Sequence, residues 1–502
     1  MALIARSRSP NWLLPAAARL LPAAAALAFL FIIACAAVVR LAPLLNGQPG
    51  GLYPDEASEG ISALRILGDP AYRPVFIDEN GGREALFAYL VAITFHFVTG
   101  PTVVGIRATS TVVGLAGIAA AWPLLRRYGV VAALAGIAWM AGSPWLIATS
   151  VLGLRNGLTV PFAGLAAAAL LAWSDRPDRR FAFLAGFAAG AGLWTYQPLK
   201  LTPLLVTAWL LWLRRVDRPL FDRLWAGRFW VLFGYVVAAA PYVWTMVTDP
   251  LNYFGRIASV SPVSPGMPHT TLLTHSLQTL GMFFVAGDPN PRHDISGLPV
   301  LLWPLPLLAA IGLWRVIHEV RDRVSGLVLI GLGVYLLPPL YAVEGGAPHL
   351  QRSLALAPYV AALVGVGVVE ALRLARRGGR GYAAAAAAAC AVAIVLTGVY
   401  AGLAFAFRPL SERYAAFDFH TVALAAAGAQ PNTAVIVNPY DAQAVRFLDG
   451  PAVPIVAPGS QAPPGYGLAA LSLNDLPPDV RASARVYARD PNGDPAVWVV
   501  PP

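Results

Sequence analysis

The chain has 502 residues, 57% of them hydrophobic and only 12% charged, with a mean hydropathy of +0.62; soluble domains carry about 25% charged residues. Too little polar surface is available to cover such a core in water, which excludes a soluble fold and leaves an all-α polytopic membrane protein. The net charge of +10 comes almost wholly from arginine, Lys200 being the sole lysine among 36 basic residues; short arginine clusters between apolar runs mark positive-inside loops and exclude nucleic acid as a partner.

Arg6 and Arg8 precede a run ending Ile32-Ile33-Ala34-Cys35, which faintly resembles a lipoprotein signal. The many apolar stretches that follow favour an uncleaved first transmembrane helix. Cys35 and Cys390 both lie in apolar segments and imply neither a disulfide nor a metal site. Apolar stretches run at 20–45, 85–99, 103–124, 130–149, 158–173, 181–195, 201–213, 229–247, 298–314, 324–342, 353–372 and 382–407, predicting about eleven to thirteen spans. The alanine run at 383–389 permits close helix packing.

Polar stretches divide the chain: a first loop at 46–84, a second at 248–297, a short one from Glu344 to Arg352, and a tail from 408 onwards. The expected domains are a transmembrane catalytic unit over 1–410 and a small soluble α/β unit over 411–502. In the tail, Thr433 to Val437, Ala496 to Val500 and, more weakly, 453–457 read as strands, and Asp441 to Leu448 as a helix. Arginines at 214–215, 315–323 and 373–380 place those loops in the cytoplasm. Both large loops, the tail and residues 344–352 then fall on the outer face of a bacterial-type plasma membrane. The count fails once: taking Arg126-Arg127 and Arg176 to Arg180 as cytoplasmic leaves one stretch between 85 and 173 that is re-entrant, interfacial or miscounted.

The candidate chemistry lies in the outer loops. Tyr53-Pro54-Asp55-Glu56-Ala57-Ser58-Glu59 puts two adjacent carboxylates just beyond the first span, and Asp78-Glu79-Asn80-Gly81-Gly82-Arg83-Glu84 leads into the next apolar stretch. Transfer to a hydroxyl or amine needs a carboxylate to take a proton, and a departing phosphate needs cations or helix N-termini. A solvated loop whose charges only keep it out of lipid is the competing explanation. Tyr196 and Lys200 flank a proline turn, Lys200 being suited to a phosphate or to snorkelling at the interface. Asp288 and His293 belong to a proline-rich polar run, Gly287 to Asp294, and His349 and Arg352 are spaced to share a helix face. No histidine pair has zinc-type spacing, since His269 and His275 are six apart; a divalent ion could still be held by Asp55 or Glu84 with a distant histidine. No other cofactor is indicated, and no phosphate-cradling glycine loop is present.

The acidic pair after the first span, Arg83-Glu84 at the next stretch, Asn80 to Leu86, Ile106-Arg107-Ala108-Thr109-Ser110, Gly287 to Gly297 and Ala347 to Arg352 together resemble the dolichyl-phosphate-mannose protein mannosyltransferases and the aminoarabinose transferases that modify lipid A. The resemblance covers roughly residues 20–410. It implies a GT-C architecture and inverting transfer of a sugar from a polyprenyl-phosphate donor to an envelope lipid, polysaccharide or protein. It also implies Asp55 as base with Glu56 beside it, Glu84 in the same cavity, and Arg83, Lys200 and Arg352 at the lipid phosphate. Tyr196, Asp288, His293 and His349 complete the expected substrate-binding set. Ala85 stands where relatives usually have proline, and the β-trefoil domain of the protein mannosyltransferases is missing, which leaves the acceptor open. The rivals are a flippase of a lipid-linked saccharide, suggested by Pro241, Pro304, Pro306, Pro338 and Pro339 interrupting spans, and a non-catalytic envelope-assembly protein.

Overall fold

The computed structural model describes residues 15–47, 50–79, 82–250, 270–295, 297–343, 346–406, 413–450, 452–490 and 492–502. Arg6, Arg8, Asn80-Gly81, His269 and Glu344-Gly345 lie outside the described residues. Among those described, seven helices are long and apolar enough to cross a membrane, or eight with the bent pair α5 (Val130–Gly142) and α6 (Pro144–Val151) taken as one span. This is a multi-pass membrane protein. Other stretches expected as spans are shorter helices, such as Arg179–Ala191, Thr202–Val216 and Leu305–His318, of 13, 15 and 14 residues. At 1.5 Å per residue each covers roughly 20–23 Å of a core about 30 Å thick. Short 3-10 helices continue those apolar runs, such as Gly192–Trp194 and Gln197–Leu201.

The 55° bend between α5 and α6 has a local cause. Gly142-Ser143 interrupts the helix, and Pro144 opens the next one at its first position, where its missing N–H costs nothing. The carbonyls freed at the break are satisfied by Arg40, fully buried on α1 (Pro15–Leu45), which donates to Ala141 O at 2.8 Å and to Ser150 Oγ at 2.8 Å. Buried backbone acceptors need such partners in lipid. The break points α6 at the polar region and sends the chain into Leu152–Asn156.

Helix Arg179–Ala191 and helix Arg228–Thr248 touch through glycines. A Cβ on Gly186 would lie 1.8 Å from Val231 O, and one on Gly234 would lie 2.1 Å from Phe183 O. Small residues let the two backbones meet. Gly186→Ala must push the helices apart and is expected to lower stability by about 1–3 kcal/mol, read as a lower melting temperature of the detergent-purified protein.

The topological discrepancy resolves in the stretch after the first loop. Leu86–Thr94 (α3) continues as a π-turn over Phe95–Thr99. Its start, Glu84, meets Arg155, and the helix that follows it, α4 (Val103–Leu125), sends Arg107 to Glu56. Arg155 also approaches Glu59, on the same helix α2 (Pro54–Gly68) as Glu56. Both ends of the stretch therefore return to one polar cluster, so 85–99 does not cross the bilayer. Without it the arginine clusters alternate consistently.

In the tail, helix Arg413–Gly428 packs on a five-stranded sheet in which Ile455–Val456, Thr433–Ile436 and Gly467–Ala470 run parallel, and Pro495–Val500 and Arg485–Arg489 follow antiparallel. The expected strands and the helix, here Ala442–Asp449, are present. Gly467–Ala470 and Arg485–Arg489 are strands that the sequence reading did not include: the first is mostly glycine and alanine, and the second, Arg-Val-Tyr-Ala-Arg, has an arginine at each end and no buried residue. The Ala442–Asp449 helix rests on α2. Phe447 occupies the space above Gly60, Thr421 Oγ1 donates to Leu52 O at 2.9 Å, and Tyr440 Oη donates to Tyr53 Oη at 2.8 Å.

Candidate active site

Helix α2 carries the acidic motif. Pro54 occupies its first turn, with Asp55 and Glu56 beside the unpaired N–H groups that favour negative charge. Its two carboxylates do different things. Glu56 is fully buried; Arg107 donates Nε to Oε1 and Nη2 to Oε2, both at 2.9 Å, and the amides of Gly153 and Tyr53 add bonds of 2.7 and 3.3 Å. Burial alone would raise the Glu56 carboxyl, but the Arg107 charge and these hydrogen bonds outweigh it and hold it below the usual range. Glu56 does not line the cavity, which corrects the expectation of a catalytic neighbour: it fixes α2 against α4 and the 152–156 turn.

Asp55, half-buried, faces a cavity of about 850 Å³. The Tyr53 phenol donates to it and in turn receives Tyr440 Oη–H, so a hydrogen-bonded chain runs from the tail unit to the carboxylate. Burial, then the charge of Asp55, pushes the Tyr53 phenol up and keeps it a donor. The Arg292 guanidinium sits 3.7 Å over the Tyr53 ring.

Glu84 lies behind the cavity wall and not in it: it is buried behind the lining residues Lys200 and Arg155, with Lys200 Nζ at 3.2 Å, Arg155 Nε at 3.3 Å and the Tyr242 hydroxyl at 3.2 Å. With two cations on its oxygens, Glu84 is their counter-charge, and it does not join a convergent group of three His, Cys, Asp or Glu side chains among the described residues. Nor does Asp55 join any convergent group of three His, Cys, Asp or Glu side chains among the described residues. Burial pulls the Lys200 ammonium below its usual value, Glu84 opposing and Arg155 adding to the shift. Lys200, Tyr196, His293, His349 and Arg352 all line the cavity with Asp55, while Asp288 lies just behind His293. Arg83 does not. Its guanidinium is fully buried against α2, bonded to Ser58, to Ser62 Oγ at 2.6 Å and to Glu79 at 3.1 Å. That corrects its phosphate assignment, because serines spaced four apart on α2 take the donors that a phosphate would need.

Two cavity or near-cavity residues escaped the sequence. Arg155 lines the wall and stands 3.6 Å from Glu59; its position between two apolar runs was the available signal. Glu59 is fully buried, one turn beyond Asp55, and that spacing on one helix face could have exposed it. Burial pushes the Glu59 carboxyl above its usual range; Arg83 and Arg155 oppose the shift, and Asp55 and Glu84 add to it. The stability contributed by a raised carboxyl is fully present below its unfolded value, about 4.3, and is lost as pH rises through the folded value. Glu59→Gln should flatten the decline in melting temperature that the wild type shows over that rise.

No protein-family profile and no curated protein matches the chain in sequence. Solved structures do match its fold, which is the GT-C architecture. ArnT from Cupriavidus metallidurans in the apo state aligns with TM-score 0.60 and 15% identity over 94% of this chain and 97% of its own; its form bound to undecaprenyl phosphate aligns with TM-score 0.58 at the same identity and coverage. The archaeal oligosaccharyltransferase AglB from Archaeoglobus fulgidus, in complex with an inhibitory peptide and a dolichol-phosphate, aligns with TM-score 0.56 and 14% identity over 87% of this chain, which spans 65% of that protein.

Proposed function

We propose that the protein is a membrane glycosyltransferase that takes a sugar from a polyprenyl-phosphate donor and passes it, with inversion, to an envelope lipid, polysaccharide or protein at the extracytoplasmic face. One observation carries the reading: Asp55 shares a single cavity with Arg155, Lys200 and Arg352, and Leu272, Leu337 and Leu340 line the same cavity. Cations beside an apolar wall suit a phosphate whose tail lies in lipid. An acceptor hydroxyl or amine gives its proton to Asp55 as its heteroatom attacks the anomeric carbon. The carbon–oxygen bond to phosphate breaks, and the released polyprenyl phosphate keeps that electron pair beside Lys200, Arg155 and Arg352. The likeness to ArnT bound to undecaprenyl phosphate and to AglB bound to a dolichol-phosphate supports the donor class.

Titration of the purified protein with undecaprenyl phosphate tests the phosphate end. Lys200→Ala and Arg352→Ala are each expected to weaken binding by about 10- to 150-fold, one charge-assisted hydrogen bond being worth about 1.5–3 kcal/mol. Unchanged binding by both variants would remove these cations from the donor site.

A further inference from the structure

The wall of the cavity formed by the second loop holds a different constellation. Asp288, His293 and His349 each offer one ligand atom, and those atoms lie within 4.8 Å of one another. All three side chains are buried, with exposures of 2%, 9% and 8%. From these residues we infer a site for one divalent transition-metal ion of the zinc type, bound by two imidazoles and one carboxylate and open towards the cavity.

The loop is built before any ion arrives. Gly287 N–H bonds Gly297 O at 2.7 Å, and a Cβ on Gly287 would meet Leu298 O at 2.0 Å, so the chain closes tightly there. Asp288 Oδ1 accepts the Asn290 amide at 2.9 Å, and Oδ2 accepts the Leu350 amide at 3.0 Å. That second bond ties the loop to the turn that carries His349. The Trp145 indole donates to Leu350 O at 3.0 Å and locks the turn in place. The carboxylate is thus held by backbone, as ligating carboxylates generally are.

His293 Nδ1 lies 2.7 Å from Asp288 Oδ2, and the His293 and His349 rings stack with centroids 4.6 Å apart. An ion with bonds of about 2.0–2.2 Å needs its ligand atoms roughly 3.3 Å apart. Shifts of about 1 Å by the two rings suffice, and the ion then takes the place of the proton held between His293 and Asp288, which leaves to solvent. Two imidazoles and one carboxylate match zinc-type ions better than magnesium or calcium, which prefer all-oxygen sites. His293 and His349 line the same cavity as Asp55, so a position not taken by protein is open to water or to a phosphate oxygen.

Ion binding can be measured without any transfer assay, so its outcome is separate from that of the transferase reading. The full-length protein in detergent is stripped with a chelator and titrated with Co²⁺ alone, following the visible d–d absorption, with Zn²⁺ as competitor. One Co²⁺ per chain with tetrahedral-type intensity, displaced by Zn²⁺, is expected. His293→Ala and His349→Ala should each weaken it by about 100-fold, while Asp55→Asn should bind as the wild type does. Asp288→Asn, which preserves shape, serves if an alanine variant fails to fold. No saturable Co²⁺ absorption, or absorption that survives the histidine substitutions, would overturn the site.

Discussion

Asp55→Asn is expected to lower sugar transfer by about 10²–10⁴-fold, the usual worth of a positioned general base, with donor affinity unchanged. The substitution keeps the shape of the side chain and its place at the start of α2, where Tyr53 can still bond it. What it removes is the capacity to accept the acceptor's proton. The loss should therefore appear in turnover and leave KM for the donor in place. A loss confined to KM would make Asp55 a binding residue and leave the base elsewhere in the cavity.

Arg107→Ala is expected to destabilise the protein by about 3–5 kcal/mol, because it leaves the buried Glu56 charge without its partner. The two side chains are 4% and 0% exposed, so solvent cannot replace the guanidinium. The consequence reaches the site through packing: with Glu56 unpaired, α2 loses its tie to α4, and Asp55 loses its aim. Glu56 also has a pH signature. Its carboxyl is held below the usual range, so it contributes stability above about pH 4.3 that is lost as pH falls through the folded value. Thermal unfolding in detergent at neutral and acid pH reads both effects. A variant as stable as the wild type at neutral pH would show that the pair is not what positions α2.

Much of the fold was legible because lipid imposes a simple rule on the sequence: long apolar runs, arginine on one side and polar loops on the other. The rule counts apolar residues and does not see geometry. It took Leu86–Thr99 for a span, although both ends return to the same polar cluster. It also read Gly142-Ser143-Pro144 as the inside of a continuous stretch, when the chain bends there around Arg40.

The site was legible residue by residue and not as an arrangement. Asp55, Tyr196, Lys200, His293, His349 and Arg352 were all marked by polarity in a loop, and they do share a cavity. Arg83 and Glu56 carried the same mark yet turn away, since exposure is decided by partners far along the chain, Arg107 and Gly153 for Glu56. The convergence of His293 on His349 had no local spacing to reveal it. Histidine pairs on separate segments become visible only when Leu350 and Asp288 are seen to join them.

The central claim is tested most directly in proteoliposomes that carry the protein, a polyprenyl-phosphate hexose labelled in the sugar, and candidate envelope lipids as acceptors. The account predicts that label leaves the donor and appears on an acceptor with inverted anomeric configuration, and that Asp55→Asn slows this by about 10²–10⁴-fold. Label that crosses the bilayer while still attached to its polyprenyl phosphate, with none reaching an acceptor, would contradict the account and identify a flippase.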